Sequence, residues 1–431
     1  MKLLQINFIL FLILAPGFYQ GANGQSGFIY GDPLPDAPEL AARGNYNVGV
    51  QTIEVINRQQ VDVLNYKNDS AATYDRKLKL EIWYPAVIPG DNAGMVTYDE
   101  VMGNANAKER PIIAFKFLGR ATRNATPIRK DGTFPLVIVS HGYTGSRLLM
   151  TYLTENLATK GYVVVSIDHM ESTFRDAAGF TSTLLNRALD DLFVLKEISR
   201  LSVTKDSFLY ELVNPELTAL IGYSMGGYGA VNVAGAGYSR QAVQFFSSIS
   251  GGSKALEKRM IGNAEFKASM DPRIKIIVAF APWGMQRGVW NTEGLAGIRI
   301  PSLFIAGSED DISGYEDGIK AIYQGCVNSD RYLLTYLNAR HNVAPNPPPA
   351  DAMKPGLHID EYLRYGDSVW DQRRINNINQ HFVTAFLDLY LKKNSAYKEY
   401  LDVPENSIES TWKGFKPRTS IGLQMLHDDA H

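Results

Sequence analysis

Cysteine, long apolar runs and blocks of like charge are all scarce in this sequence. Cys326 is the only cysteine among 431 residues, so no disulfide can form within the chain, and we expect it to be a core side chain. The counts of 43 Lys/Arg and 45 Asp/Glu nearly balance, and no basic block indicates a nucleic-acid partner. No P-loop, H-E-x-x-H or dinucleotide fingerprint occurs in the right context, so we expect no metal and no cofactor.

The first residues are typical of a cleaved signal peptide. Lys2 supplies a positive charge, and the apolar run 6–15 is too short to span a bilayer. Ala22-Asn23-Gly24 fits a small-x-small cleavage site. We therefore predict a signal peptide over residues 1–24 and a secreted or periplasmic protein with no stable membrane span.

The pattern of apolar residues changes near residue 134. Before it, residues 48–63 and 78–84 alternate apolar and polar side chains like antiparallel strands, and the polar stretch 89–131 is interpreted as loops plus an insertion. After it, continuous apolar runs alternate with segments of helical spacing. This alternation predicts an α/β fold with a mostly parallel central sheet covered by helices on both faces.

The predicted strands of this second part are 135–139, 162–167, 217–221, 274–280, 302–306 and 332–337, the last of the sheet. The predicted helices are 148–157, 184–201, 226–236 and a closing helix over 375–389. We expect residues 25–431 to form a single catalytic domain. Two insertions, about 238–271 and 342–371, flank the expected catalytic elements and are expected to shape a cap or groove.

The strongest motif is Gly222-Tyr223-Ser224-Met225-Gly226, which has the form G-x-S-x-G. In a nucleophile elbow the serine occupies a strained turn between strand and helix, and the glycines let the two elements pass closely. A buried strand is predicted before this motif and a small-residue helix after it, as the elbow requires. Ser224 is therefore the predicted nucleophile.

A serine nucleophile needs a base, and the base needs an acid that orients it. In chains with this elbow the order is Ser, then Asp or Glu, then His, each following a strand. Asp310 follows strand 302–306 and is preferred as the acid, with Asp311 as the alternative. His341 follows the last predicted strand and is the predicted base.

The tetrahedral intermediate of acyl transfer needs two N–H donors. Met225, directly after the nucleophile, is expected to supply one of them. The other is expected from the loop Ser140-His141-Gly142-Tyr143, which follows an early strand, with Tyr143 as the donor.

These motifs resemble those of the α/β-hydrolase superfamily, in particular predicted dienelactone hydrolases and platelet-activating-factor acetylhydrolase-like proteins. That likeness rests on Tyr46-Asn47-Val48-Gly49-Val50, Glu81-Ile82-Trp83-Tyr84-Pro85, Ser140-His141-Gly142 and the elbow. The catalytic half is also similar to cutinase-like polyester hydrolases, through Gly142-Tyr143-Thr144, Ala281-Pro282-Trp283 and the segment 341–346. The resemblance implies that Tyr143 adds an aromatic wall and that Trp283 lines the substrate cleft, although a core tryptophan is the alternative for Trp283.

The sequence thus predicts a carboxylic ester hydrolase of the esterase, lipase or polyesterase kind, acting on a small-molecule, lipid or polymeric ester. Ser224 argues against the dienelactone reaction itself, which uses a cysteine. An amide or acylpeptide hydrolase with the same triad is the alternative enzyme. A binding protein on a hydrolase scaffold is the alternative outside enzymes.

Overall fold

The computed structural model describes residues 28–67, 72–88, 94–129, 132–177, 179–408 and 411–431. The predicted signal peptide lies outside the described residues. None of the helices within these ranges is long and apolar enough to cross a membrane.

The described elements follow the alternation predicted from the sequence. The strands are β1 (Asn47–Val61), β2 (Thr73–Val87), β3 (Val96–Met102), β4 (Ile113–Gly119), β5 (Thr122–Arg123), β6 (Thr126–Pro127), β7 (Phe134–Ser140), β8 (Val163–Asp168), β9 (Val213–Tyr223), β10 (Ile274–Phe280), β11 (Ser302–Gly307), β12 (Arg331–Tyr336) and β13 (Leu423–Asp428). The α-helices are α1 (Thr151–Thr159), α2 (Phe180–Ser202), α3 (Met225–Val233), α4 (Arg240–Ile249), α5 (Ala264–Ala268), α6 (Thr292–Leu295), α7 (Lys320–Gly325), α8 (Ile359–Leu363) and α9 (Gln372–Tyr390). Single turns of 3₁₀ or π helix lie at Glu39–Ala41, Ala255–Arg259, Met285–Arg287, Tyr315–Ile319, Ala350–Met353 and Ser395–Tyr400.

In the described chain one sheet of 11 strands runs in the order β13-β12-β11-β10-β9-β7-β8-β2-β1-β5, with β6 paired to β2. The strands from β8 to β12 are parallel, whereas β2 and β13 are antiparallel to their neighbours. The parallel strands are buried along nearly their whole length, as expected for a sheet with both faces covered. The predicted fold class is confirmed.

The direction in which successive strands are added to the sheet reverses after β8, and this reversal positions the site. The crossover from β7 to β8 moves one way along the sheet, and the crossovers from β8 to β9 and from β9 to β10 move the other way. Because such crossovers are right-handed, α1 lies on one face and α2 and α3 on the other. The carboxyl ends of β7 and β9 therefore flank a topological switch point, where open α/β sheets bind ligands.

Two sequence predictions are wrong. The segment 89–131, interpreted as loops plus an insertion, contains the hairpin of β3 and β4 and the short strands β5 and β6. Charged and polar residues alternate with the first buried residues of β3, so this segment has the composition of a loop in the sequence. Strand 332–337 is not the last of the sheet, because β13 follows α9 and pairs antiparallel with β12; its partly polar sequence hides an edge strand.

The two predicted insertions carry their own short elements. The segment 238–271 contains α4 and α5, and 342–371 contains α8. The first contributes Gln241, Ala242 and Phe245 to a pocket beside Trp283, and the second lines a pocket with Ser224, so both reach the surroundings of the switch point. Cys326, predicted to be a core side chain, is fully buried.

A buried ion pair ties the antiparallel part of the sheet to the helical layer. Arg76 of β2 is 1 % exposed, and its Nε and Nη2 donate to the two carboxylate oxygens of Asp190 in α2, at 2.7 and 2.8 Å. Glu171 accepts a further bond from Arg76 at 3.0 Å. Burial raises the pKa of Asp190, but the charge and hydrogen bonds of Arg76 together with His169 outweigh it and lower that pKa to about 2.

We predict that Arg76→Met destabilises the protein strongly, because it leaves the buried Asp190 carboxylate without its cation. Removing one partner of a buried pair costs about 3–5 kcal/mol. Arg58→Met is the matched control, since Arg58 pairs with Asp75 at 2.9 Å on the surface and exposed pairs contribute less than about 1 kcal/mol. Urea unfolding measures both free energies; similar small losses for the two variants would contradict the prediction.

Candidate active site

Ser224 lies at the turn between β9 and α3, in a backbone conformation that side chains rarely adopt. Its φ is 53°, in keeping with a nucleophile elbow. Glycine is required on either side, because a Cβ at Gly222 would stand 2.2 Å from the Gly226 carbonyl oxygen, and one at Gly226 would stand 1.9 Å from the Ser140 carbonyl oxygen. The turn is held in place by the Ser224 N–H, which donates to Phe280 O at 2.9 Å.

The structure brings Ser224, His341 and Asp310 together. Nε2 of His341 lies 3.0 Å from Oγ of Ser224. Its Nδ1 lies 2.8 and 3.0 Å from the two carboxylate oxygens of Asp310. The arrangement is that of Nδ1–H donating to the carboxylate and Nε2 accepting from the hydroxyl, which orients the imidazole as a general base.

Asp310 and Asp311 have different surroundings. Oδ1 of Asp310 also accepts the N–H groups of Ile312 and Ser313, at 2.9 and 2.7 Å. Burial raises the pKa of Asp310, but His341 and these N–H donors outweigh it, so the pKa lies below its usual range. Asp311 points away and pairs with Arg340. The preferred acid is thus the carboxylate in contact with His341.

The loop after β7 lies directly against Ser224. A Cβ at Gly142 would stand 3.2 Å from Cβ of Ser224. Met225, the other predicted donor, is the first residue of α3, where N–H groups have no partner within the helix.

Three consecutive carbonyl groups of this loop accept hydrogen bonds from side chains. Arg187 Nη1 donates to His141 O at 2.8 Å, His141 Nδ1 lies 2.6 Å from Gly142 O, and Arg364 Nη1 donates to Tyr143 O at 3.2 Å. In a trans peptide the C=O of one residue and the N–H of the next point in opposite directions. The N–H groups of Gly142 and Tyr143 are therefore turned away from Arg187 and His141.

The His141 side chain is fixed in one tautomer. Its Nε2 accepts the His169 N–H at 3.2 Å, so Nδ1 carries the proton that is donated to Gly142 O. Burial, together with the nearby Arg187 charge, lowers the pKa of His141 well below its usual range. A neutral imidazole at this position keeps the loop in a single arrangement.

A second Ser-His-Asp array lies beneath this loop. Oγ of Ser140 lies 2.8 Å from Nε2 of His169, whose Nδ1 lies 2.9 Å from Oδ2 of Asp190. All three residues are at most 1 % exposed, and burial lowers the pKa of His169 to about 3. Since no substrate can reach Ser140 without unfolding, this array supports the loop rather than competing with Ser224.

Ser224 opens into a polar pocket of about 380 Å³. It is lined by Gly142, Tyr143, Thr144, Tyr223, Ser224, Asp311, Ile312, Arg340, His341, Asn342, Asp360, Leu363, Arg364, Gly366, Asp367 and Ser368. The insertion 342–371 supplies one wall, which is attached to the elbow because Tyr223 Oη donates to Asn342 Oδ1 at 2.6 Å and Asn342 donates to Leu363 O.

Trp283 lines a different pocket, of about 390 Å³. That pocket is lined by Phe180, Leu184, Tyr228, Gln241, Ala242, Phe245, Leu256, Trp283, Arg287 and Val289. Phe180 lies between the two predicted aromatic residues, with its ring centroid 5.5 Å from that of Tyr143 and 5.6 Å from that of Trp283. The backbone N–H of Trp283 donates to the backbone carbonyl of Ser224 at 3.2 Å, so the apolar pocket lies near the elbow.

Several residues of the site were not found from the sequence. His169 has no motif of its own, and only the packing of β7, β8 and α2 shows its place. Phe180 and Arg364 lie outside the motifs too. For Arg364 the sequence indicated only that its segment, the insertion 342–371, would border the site.

Parts of this chain are similar in sequence to known proteins. A family model described as PET hydrolase-like matches residues 108–248. Cutinase 2 of Thermobifida cellulosilytica is 24 % identical over 220 residues, 51 % of this chain and 64 % of its own. Cutinase est1 of Thermobifida alba is 25 % identical over 219 residues, 51 % of this chain and 56 % of its own. The chain thus spans less than two thirds of the length of these relatives.

A solved structure, of a ferulic acid esterase from Streptomyces cinnamoneus, superposes with a TM-score of 0.55 at 16 % identity and covers 90 % of this chain and 99 % of that one. The protein is an α/β-hydrolase by fold. Its elbow half is similar in sequence to cutinases and to the PET hydrolase-like family.

Proposed function

We propose that this protein is a secreted serine hydrolase that cleaves carboxylic esters through an acyl-enzyme on Ser224. The contact of 3.0 Å between Ser224 Oγ and His341 Nε2, at the floor of an open pocket, carries the proposal. The similar proteins are named as cutinases and as a ferulic acid esterase, which supports an ester as the substrate.

In the proposed reaction His341 Nε2 takes the hydroxyl proton as Ser224 Oγ attacks the ester carbonyl. The N–H groups of Tyr143 and Met225 donate to the oxyanion of the tetrahedral intermediate. The intermediate collapses, and His341 returns the proton to the departing alcohol. A water molecule, deprotonated by His341, then attacks the acyl-enzyme, releases the acid and regenerates Ser224, while Asp310 stabilises the imidazolium in both halves.

Domain organisation and export belong to the same proposal. A signal peptide over residues 1–24 would be removed, and residues 25–431 would act as one catalytic domain. The sheet that spans β1 to β13 supports this, because its first and last strands come from the two ends of the described chain.

A panel of p-nitrophenyl esters, from acetyl to palmitoyl plus an aromatic acyl group, tests the activity. Matched p-nitroanilides separate an esterase from an amide hydrolase with the same residues. Hydrolysis of anilides at rates like those of the esters would contradict the proposal, as would a lack of activity on every ester.

We predict that a fluorophosphonate probe labels the protein once and that Ser224→Ala abolishes this labelling. Loss of the nucleophile should also lower kcat by several orders of magnitude, on the order of a millionfold in a well-studied triad. Ser140→Ala is the control, because it removes the buried serine of the second array and should leave the labelled residue unchanged. Mass spectrometry locates the adduct; an adduct that persists in Ser224→Ala would overturn the assignment.

We predict that Asp310→Asn lowers kcat by roughly a thousandfold or more, because His341 loses the carboxylate that orients it. Asp311→Asn should have a much smaller effect, since Asp311 pairs with Arg340. Steady-state kinetics measures kcat for both variants, and circular dichroism shows whether each is folded. A greater loss of kcat in Asp311→Asn than in Asp310→Asn would show that the acid is misassigned.

We predict that Trp283→Ala lowers kcat/KM for long-chain or aromatic acyl esters more than for acetyl esters. The indole forms part of the apolar pocket near the elbow, where it can bury an acyl chain and stack on a ring. Val203→Ala, at an exposed apolar residue outside both pockets, is the control. A uniform loss on all esters together with a melting temperature lower by several degrees would mean instead that Trp283 acts as a core residue.

A further inference from the structure

Arg364 projects into the pocket that contains Ser224. It follows α8 in the insertion 342–371 and lines the pocket together with His341 and Tyr143. Its Nη1 lies 3.2 Å from Tyr143 O, so the guanidinium lies beside the loop proposed to hold the oxyanion. A positive charge therefore lines the same pocket as Ser224.

The Arg364 charge has no carboxylate partner within 4.0 Å among the described residues. Burial lowers the pKa of its guanidinium below the usual range, whereas the burial of Arg147 is outweighed by Asp168 and Glu81, which raise its pKa. A guanidinium nevertheless stays charged at neutral pH. Asp360 attracts the Arg364 charge from farther away, but burial prevails. Arg364 therefore presents donors to the pocket with no carboxylate in contact among the described residues.

The other charges that line this pocket are already engaged. Arg340 pairs with Asp311. Asp360 accepts from Arg110 at 3.2 Å. The Asp367 carboxylate accepts backbone N–H groups at 2.7 to 2.9 Å. Arg364 differs from all of these groups. Its side chain makes one hydrogen bond, to a carbonyl oxygen, so the other N–H groups of its planar guanidinium can donate to a ligand.

The segment that carries Arg364 is anchored rather than loosely attached. Arg110 donates to Glu361 at 2.8 Å beneath α8, and Asn342 donates to Leu363 O. A guanidinium that is fixed in place loses little conformational entropy when it binds an anion.

We propose that Arg364 binds a carboxylate carried by the substrate, so that the preferred substrates are esters with a free carboxylate near the scissile bond, such as half-esters of dicarboxylic acids. This rests on the proposed function of Ser224. A carboxylate matches the guanidinium fork in a bidentate geometry. The neutral part of such an ester would occupy the adjoining apolar pocket.

The test compares p-nitrophenyl hydrogen adipate with p-nitrophenyl hexanoate, which have acyl chains of equal length and differ in the terminal carboxylate. Spontaneous hydrolysis is subtracted with the Ser224→Ala protein. We expect the adipate-to-hexanoate ratio of kcat/KM to fall by roughly tenfold or more in Arg364→Gln. It should fall less in Arg364→Lys, which keeps the charge, and it should decrease with ionic strength in the wild type.

Arg58→Gln is the matched control. It removes one guanidinium from an exposed ion pair outside both pockets, so the ratio should stay within about twofold of the wild-type value. Melting temperatures show that each variant is folded, and Arg364→Lys keeps the test informative if Arg364→Gln does not fold. An equal loss on both esters would mean that Arg364 acts only through Tyr143 and would overturn the proposal. A wild type inactive on both of these esters and on the whole ester panel would instead refute the proposed function itself.

Discussion

The contact between the start of α3 and the end of β7 is the constraint on which the site depends. Gly226 lies so close to the Ser140 carbonyl that any side chain there would overlap it. This contact sets the elbow of Ser224 against the loop of Gly142 and Tyr143 at the switch point of the sheet. The positive φ of Ser224 follows from the same crowding, because the chain must turn sharply from strand to helix to leave the glycines in contact.

Buried charge beneath that contact holds the loop in place. A chain of hydrogen bonds leads from Arg76 through Asp190 and His169 to Ser140. Arg187 donates to the carbonyl oxygen of the following residue, His141. Such groups are expensive to bury unless each is paired. Their value here is geometric, because they fix peptide planes whose N–H groups must point in one direction. Stability and proposed catalysis therefore depend on the same residues.

The two adjoining pockets divide the surroundings of Ser224 by polarity. One is polar and is bordered by the insertion 342–371 with Arg364. The other is apolar and is bordered by Trp283 and the insertion 238–271. The Phe180 ring lies between Tyr143 of the first and Trp283 of the second, so the polar and the apolar surroundings lie on opposite sides of one aromatic side chain.

Local patterns in the sequence were sufficient for the parallel strands, the elbow and the order of Ser224, Asp310 and His341, because buried strands and strained turns restrict which residues can occupy them. The hairpin of β3 and β4 and the edge strand β13 were not predicted, since half-exposed strands have a weaker pattern of apolar residues. Long-range packing alone decided that Phe180 stands between Tyr143 and Trp283 and that Arg364 meets Tyr143 O at 3.2 Å. These contacts join segments far apart in the chain, and their geometry depends on how the sheet twists and the insertions fold back, which no local pattern specifies.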